Sequence, residues 1–267
     1  MIYGIIPARF GSTRLPGKML LEVEGKPVLQ HTWSRASKAT RLDRLVIAAG
    51  DQIIADAARS WGADVVEAFD ECQSGSDRVW QAYRKMELRG DGCGLKIDDP
   101  RALGRKNAIE STSDDVVINI QGDEVQIFPE TIDAVIEKLL SDPASGVGTA
   151  AAPIERYEDY TGDAVVKVVT DLLGRALYFS RAPIPSQVTL EKWDRMTPLR
   201  HIGIYAYRRE VLELFTKLPA CQLELTERLE QLRLVEQGIR YSVAVVEHAG
   251  VEINTAADLE LVRSRGV

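Results

Sequence analysis

Residues 1–18 of the chain read MIYGIIPARFGSTRLPGK, and this stretch indicates the fold. A short apolar run at residues 2–6 ends at Pro7 and is typical of a buried β-strand. Residues 9–18 are rich in glycine, hydroxyl and basic side chains, so they are predicted to form a loop. A buried strand that leads into a basic, glycine-containing loop indicates an α/β protein with an anion site at the strand's carboxyl end.

The same alternation of strand and helix continues along the chain. Further apolar runs predict strands at residues 45–49, 64–66, 116–120, 164–170 and 203–207. Helices are predicted at residues 28–40, 53–61, 76–86, 129–140, 224–237 and 257–265. Continuously apolar strands between helices predict a mostly parallel, doubly wound, Rossmann-like sheet in one α/β domain. Residues 88–114 have weak apolar content and are interpreted as a surface insertion.

The composition indicates which binding partners and which cellular compartment to expect for this protein. The net charge of −7 argues against nucleic acid as the main partner. No apolar run reaches the roughly 18 residues of a membrane-spanning helix. The three cysteines, Cys72, Cys93 and Cys221, fit neither a disulfide framework nor a zinc site, so a reducing compartment is predicted. We therefore expect a cytoplasmic protein that binds neither nucleic acid nor membrane.

The basic loop itself suits a triphosphate. Arg9, Arg14 and Lys18 supply fixed positive charge, and the glycines let backbone N–H groups approach a ligand. The loop is not that of a P-loop kinase, because five residues separate Gly11 from Gly17 where four are required. Taken alone, the loop leaves open a second interpretation, a solvated basic surface.

A set of ordered motifs carries a resemblance to a known family. The motifs are PARFGSTRLPGK (7–18), QSGSDR (73–78), NIQGDE (119–124), AVVKVV (164–169), ALYFSR (176–181), RHIGIY (200–205) and LEQLR (229–233). In this order they resemble the 3-deoxy-manno-octulosonate cytidylyltransferases, which have the nucleotide-diphospho-sugar transferase fold. The resemblance covers nearly the whole chain, apart from the insertion.

The resemblance implies a reaction and a nucleotide site. A hydroxyl of 3-deoxy-manno-octulosonate, or of a close ulosonic acid, attacks the α-phosphorus of CTP and pyrophosphate leaves, which is a step of lipopolysaccharide biosynthesis. Catalysis of such a transfer rests on cations and positioning, with Arg9, Lys18 and Asp123 as the catalytic residues. The nucleotide-binding residues implied are Ala8, Arg9, Ser12, Thr13, Arg14, Lys18, Ser74, Gly75, Arg78 and Gln121.

The resemblance also implies an acceptor site, a division of labour and an assembly. The acceptor-binding residues implied are Lys167, Arg181, His201, Tyr205, Glu230 and Gln231. Arg181 can pair a carboxylate through two parallel hydrogen bonds, and Lys167 is expected at the acceptor or the α-phosphate. Residues 1–150 are then mainly nucleotide-binding, and residues 151–267 mainly serve acceptor binding and dimerisation. A homodimer is expected.

The implied cofactor is Mg²⁺, and here the chain departs from the family pattern. Asp123 supplies one carboxylate, but Asn254 stands where the second family aspartate is expected. Glu252 lies two residues earlier, and on a strand it would share a face with Asn254, so both are predicted metal residues. Two further departures are Ala49-Gly50, where Thr-Asp is usual, and Cys72, where histidine is usual.

These departures leave two alternatives open. The chain could catalyse the same reaction on another acidic sugar. It could also be a weakly catalytic paralogue that binds CTP, an interpretation that Asn254 supports because an amide brings no charge to a metal.

Overall fold

The structure is a computed structural model that describes residues 1–11, 15–72, 74–89, 114–186 and 197–266. The strands in these residues are β1 (Ile2–Ala8), β2 (Glu22–Val23), β3 (Lys26–Pro27), β4 (Arg44–Ala49), β5 (Val65–Glu67), β6 (Val116–Asn119), β7 (Val147–Pro153), β8 (Lys167–Thr170), β9 (Ala176–Ser180), β10 (Leu199–Arg208) and β11 (Tyr241–Val245). The helices are α1 (Val28–Ala36), α2 (Gln52–Ser60), α3 (Gly75–Arg89), α4 (Pro129–Ser141), α5 (Tyr157–Thr161), α6 (Arg209–Lys217), α7 (Gln222–Glu227), α8 (Leu232–Glu236) and α9 (Ala256–Arg265).

One large sheet dominates the part of the chain that the structure describes. Its main path runs β11-β7-β10-β6-β1-β4-β5, and β8 and β9 extend it beside β10. β1 pairs in parallel with β4 and β6, β4 with β5, and β11 with β7. β10 runs antiparallel to both of its neighbours on the main path, β6 and β7. The prediction of a mostly parallel α/β sheet is confirmed.

Helices cover both faces of this sheet. Along β1, Ile5 packs with residues of α3 and α6 on one face, and Ile6 packs with residues of α1, α2 and α4 on the other. Successive side chains of a strand point to opposite faces, so a strand buried on both sides is apolar at every position. This explains why the first strand reads as an uninterrupted apolar run, and it confirms the doubly wound arrangement.

The second half departs from its prediction in several places: β7, β9, β11, α5 and α6 were not predicted, and one predicted helix is not continuous. The helix predicted at residues 224–237 is wrong: α7 and α8 are separate helices, and Arg228 between them adopts the left-handed conformation with φ of 56°. A residue in that conformation ends a helix. Periodicity cannot detect such a break, because the apolar spacing continues on both sides of it. Residues 90–113, most of the predicted insertion, lie outside the described residues.

The fold brings three strand ends to one edge. Ala8 ends β1, Ala49 ends β4 and Asn119 ends β6, and these parallel strands all finish on the same side of the sheet. A small apolar cluster, which includes Val125, Ile253 and Leu259, packs the chain's C-terminal segment against the turn after β6. No helix among the described residues is long and apolar enough to cross a membrane.

Candidate active site

The loop after β1 is anchored by the end of β4. The N–H of Gly50 donates to the carbonyl oxygen of Ala8 at 2.7 Å, and the N–H of Phe10 donates to Asp51 Oδ2 at 2.6 Å. Asp51 also caps α2 by accepting from the N–H of Ile54. These contacts fix the backbone where the basic loop begins. Ser12, Thr13 and Arg14, three predicted nucleotide residues, lie outside the described residues.

A cavity of about 330 Å³ opens at this edge of the sheet. The remaining predicted nucleotide-binding residues all line it, namely Ala8, Arg9, Lys18, Ser74, Gly75, Arg78 and Gln121. They come from three separate motifs, at residues 7–18, 73–78 and 119–124, and the fold places them around one space. We refer to it as the nucleotide cavity.

The N-terminus of α3 forms one wall of this cavity. The N–H of Ser74 donates to Asp77 Oδ2 at 2.8 Å, and the N–H of Asp77 donates to Ser74 Oγ at 3.2 Å. This reciprocal capping satisfies two backbone donors and fixes Ser74 and Gly75 at the cavity wall. The start of a helix also carries partial positive charge, which favours a bound anion.

Asp123, in the turn after β6, lines the nucleotide cavity. Its Oδ2 accepts a short hydrogen bond from the ammonium of Lys18 within a buried ion pair. Its Oδ1 is buried and has no hydrogen-bond partner among the described residues. The hydroxyl of Thr32 donates to the carbonyl oxygen of Gly122 at 2.9 Å and holds the turn in place.

The three predicted metal residues lie in two segments whose backbones pair at this turn. The N–H of Ile253 donates to the carbonyl oxygen of Asp123 at 3.0 Å, and Glu252 forms an antiparallel bridge with Glu124. Asn254 Oδ1 is buried and unpartnered among the described residues, like Asp123 Oδ1. Two buried oxygens without donors are suited to a hard cation such as Mg²⁺, so these residues fit the implied cofactor. No group of three or more His, Cys, Asp or Glu side chains in the described part of the chain has metal-binding geometry.

Three carboxylates, those of Asp123, Glu124 and Glu252, lie close together at this turn. Burial, followed by the nearby charges of Glu252 and Asp123, raises the pKa of Glu124 to about 8. Glu124 is 7% exposed, and its Oε2 has no partner among the described residues. Glu124 is therefore largely protonated near neutral pH, and a cation bound beside it would favour its ionised form.

A second cavity, of about 190 Å³, lies on the other side of this turn. His201, Tyr205 and Gln231 line it, together with Glu124 and Glu252. We call it the acceptor cavity, because three of the six predicted acceptor residues line it. The two cavities are neighbours, since Asp123 lines one and Glu124 lines the other.

His201 is held as a neutral ring. Its Nε2 lies 2.9 Å from the hydroxyl of Thr149, which in turn donates to the carbonyl oxygen of Ile204 at 2.8 Å. Because that hydroxyl proton is used, Nε2 carries the ring proton and Nδ1 remains an acceptor. Burial lowers the pKa of His201 to about 3. Burial also raises the pKa of Tyr205, so both groups offer neutral hydrogen bonds to a sugar.

The break between α7 and α8 serves both cavities. Glu230 lines the nucleotide cavity, whereas its neighbour Gln231 lines the acceptor cavity. Arg233 joins the two helices through a bidentate ion pair with Glu224, with N–O distances of 2.7 and 2.6 Å. The pair of residues predicted for the acceptor is thus divided between two sites.

Lys167 and Arg181 are not among the residues that line these two cavities. The ammonium of Lys167 is fully buried and donates to the carbonyl oxygens of Gly162, Val165 and Arg181. The guanidinium of Arg181 donates to the carbonyl oxygens of Glu227, at 3.0 Å, and Asp163, at 2.9 Å. Lys167 therefore has no free N–H for a ligand in this conformation, while Arg181 keeps further donors.

Sequence reasoning missed several residues that position the site. Thr32 holds the turn at Gly122, Thr149 fixes the ring of His201, and Asp51 anchors the basic loop. None of them belongs to a motif quoted above. Thr32 and Asp51 are polar residues in or beside predicted elements, and that was the available signal. Thr149 lies in β7, which was not predicted.

Comparison with known proteins agrees with this geometry. The family model described as Cytidylyltransferase matches residues 3–92 and 96–243. The chain is 36% identical over 271 residues to the 3-deoxy-manno-octulosonate cytidylyltransferase of Geobacter sulfurreducens, covering 98% of this chain and 97% of the relative. It is 40% identical over 263 residues to the enzyme of that name from Syntrophobacter fumaroxidans, covering 98% and 95%.

Solved structures give the same result. CMP:2-keto-3-deoxy-manno-octonic acid synthetase in complex with CTP superposes with a TM-score of 0.82 at 34% identity, over 98% of this chain and 97% of that one. 4-Diphosphocytidyl-2C-methyl-D-erythritol synthase shares the fold alone, with a TM-score of 0.61 at 13% identity over 98% and 96% of the two chains. The chain therefore belongs to the 3-deoxy-manno-octulosonate cytidylyltransferase family.

Proposed function

We propose that this chain transfers the cytidylyl group of CTP to 3-deoxy-manno-octulosonate and releases pyrophosphate. The observation that carries this proposal is the pair of neighbouring cavities. Arg9, Lys18 and Arg78 line the first, and the hydrogen-bonding side chains of His201, Tyr205 and Gln231 line the second. The two cavities meet at Asp123 and Glu124, and again at Glu230 and Gln231. The reaction needs two substrates side by side, and the names of the relatives support this assignment.

The nucleotide cavity would bind CTP. Arg9, Lys18 and Arg78 place positive charge around it, and fixed cations stabilise the charge that builds on phosphate oxygens during transfer. Gln121 and the capped Ser74 would bind the base and the ribose. The sugar hydroxyl oxygen forms the new bond to the α-phosphorus, and pyrophosphate leaves with the electron pair of the broken P–O bond.

Mg²⁺ would be held by Asp123 and Asn254, with Glu252 contributing charge beside them. When bound, such an ion neutralises phosphate charge and orients the reacting groups. The chain keeps Asp123 in place through Lys18. It also leaves Asp123 Oδ1 and Asn254 Oδ1 without a hydrogen-bond donor among the described residues, so both oxygens could bind the ion.

The acceptor cavity would bind the sugar. His201 and Tyr205 are neutral, and Gln231 can both donate and accept, so these residues suit hydroxyl groups. Arg181 would bind the sugar carboxylate after leaving one of its present carbonyl partners. Glu230 belongs to the nucleotide cavity and would reach the sugar only at the junction of the two sites.

We further propose a homodimer in the cytoplasm, assembled through the second half of the chain. Leu172, Leu173 and Leu177 are exposed around the β8–β9 hairpin, and exposed apolar residues that lie together favour a protein interface. Size-exclusion chromatography with light scattering tests this. A dimer mass is expected, and a monomer mass at all concentrations would contradict it.

The experiment that tests the function is pyrophosphate release with CTP and Mg²⁺ across a panel of acidic sugars. Release with 3-deoxy-manno-octulosonate is expected. Release only with another acidic sugar would keep the reaction and change the acceptor. CTP binding without release from any sugar would instead favour the weakly catalytic paralogue, for which Asn254 is the supporting observation.

A further inference from the structure

A glycine at the end of β4 stands between two cations of the nucleotide cavity. Gly50 follows the last residue of the strand, and its N–H donates to the carbonyl oxygen of Ala8. Its φ lies outside the left-handed region that favours glycine. The backbone conformation therefore does not require glycine at this position, and another reason must be found.

That reason is space. A Cβ atom at position 50 would lie 2.6 Å from Nη1 and 2.7 Å from Cζ of Arg78, and 3.0 Å from Cβ of Arg9. Carbon atoms in favourable contact stay about 3.5–4.0 Å apart. The guanidinium of Arg78 thus occupies the volume that any side chain at position 50 would take.

The guanidinium of Arg78 is a buried positive charge. Arg78 is 7% exposed, and its Nη1 donates to the carbonyl oxygen of Ala68. Among the described residues it forms no ion pair with a carboxylate. A buried charge without a counter-ion is costly unless a ligand supplies acceptors. Arg78 lines the nucleotide cavity, and a nucleotide carries such acceptors.

We propose that Gly50 is a positioning residue for nucleotide binding. By lacking a side chain, it leaves the space in which the guanidinium of Arg78 lines the cavity and donates to the carbonyl oxygen of Ala68, so that its charge is available to the nucleotide. The proposal rests on the proposed function of this cavity. Gly50 acts through Arg78 and touches no substrate itself.

The test compares Gly50→Ala and Gly50→Val with the wild type, using calorimetry for CTP binding and initial rates for both substrates. Gly50→Ala should raise the Kd and KM for CTP about tenfold, which is the loss expected for one charge-assisted hydrogen bond. Gly50→Val should raise them further. The KM for the acceptor should change by less than about twofold, because the acceptor cavity is untouched.

The Arg78→Ala background is the matched control. Without the guanidinium there is nothing to displace, so adding Gly50→Ala should change CTP binding by less than about twofold. An equal loss in both backgrounds would overturn the proposal, because Gly50 would then act through Arg9 or the backbone. Melting temperatures show whether each variant is folded.

The outcomes also separate this proposal from the proposed function. If the wild type binds CTP and Gly50→Ala binds it equally well, the positioning role alone is overturned. If the folded wild type binds no CTP, the proposed function fails and the positioning role fails with it.

Discussion

Lys18 and Asp123, which are 105 positions apart in the sequence, form a buried ion pair that joins the loop after β1 to the turn after β6. The pair uses only one oxygen of the carboxylate. The other, Oδ1, faces no donor among the described residues. Asp123 can therefore orient the lysine and still offer an oxygen to a cation.

Asp123→Asn is expected to lower kcat for pyrophosphate release by about 100-fold, because it removes the charge that pairs with Lys18 and that would bind the proposed Mg²⁺. The measurement is the release rate as a function of Mg²⁺ concentration. Asp64→Asn is the matched control, since Asp64 pairs with Arg44 away from both cavities. Wild-type kcat in the Asp123 variant would remove the metal assignment.

Asn254→Asp is expected to lower the Mg²⁺ concentration needed for half-maximal activity, because a carboxylate adds charge to an oxygen that is already buried and unpartnered. Glu252→Gln should raise that concentration. Activity measured against Mg²⁺ concentration for the wild type, Asn254→Asp and Glu252→Gln tests both expectations. No shift in Glu252→Gln would show that this residue does not compensate for the missing aspartate.

Arg181→Ala is expected to raise the acceptor KM about tenfold or more, with a much smaller effect on the CTP KM, because the proposed bidentate contact with the sugar carboxylate would be lost. Initial rates with each substrate varied in turn measure both values. Arg41→Ala, which breaks an exposed ion pair with Glu137, is the control. Equal changes in the two KM values would refute the contact with the sugar carboxylate.

Lys167→Met is expected to destabilise the fold by about 3 kcal/mol or more, because three carbonyl oxygens lose their donor. Burial lowers the pKa of Lys167, in keeping with an ammonium removed from water. Urea unfolding monitored by circular dichroism gives the change in free energy. A fully stable variant with a raised acceptor KM would instead indicate direct contact with substrate.

The lowered pKa of His201 predicts how the free energy of unfolding depends on pH. Its pKa is about 3 in the folded protein, compared with about 6.5 when unfolded. The unfolded chain therefore binds more protons between these values, and stability falls as pH drops below about 6.5, by at most about 1.4 kcal/mol per pH unit. Above that pH the contribution is fully present.

Urea unfolding of wild type and His201→Gln at pH 7.5 and pH 5 measures this effect. The wild type should lose more stability on acidification than the variant, which lacks the titrating ring. The same loss in both proteins would show that other groups govern the acid side.

Much of the fold follows from local sequence. The apolar run of β1, the loop after it and the alternation up to α4 follow from periodicity and from glycine and proline positions. Strands buried on both faces must be apolar throughout, so these elements can be predicted from the local sequence alone. β7 was missed because its residues, VGTAAAP, are small and have little strand preference. It forms a strand because it pairs with β10 and β11 in the sheet.

The motifs determined which residues gather at the site, because a family resemblance carries the ordered set as a whole. Only the tertiary structure decided where each side chain points. It divides Glu230 and Gln231 between two cavities, turns Lys167 onto backbone carbonyls, and fills the space beside Gly50 with Arg78. These directions depend on contacts between segments far apart in the chain, and the free energy of such contacts is absent from any local pattern.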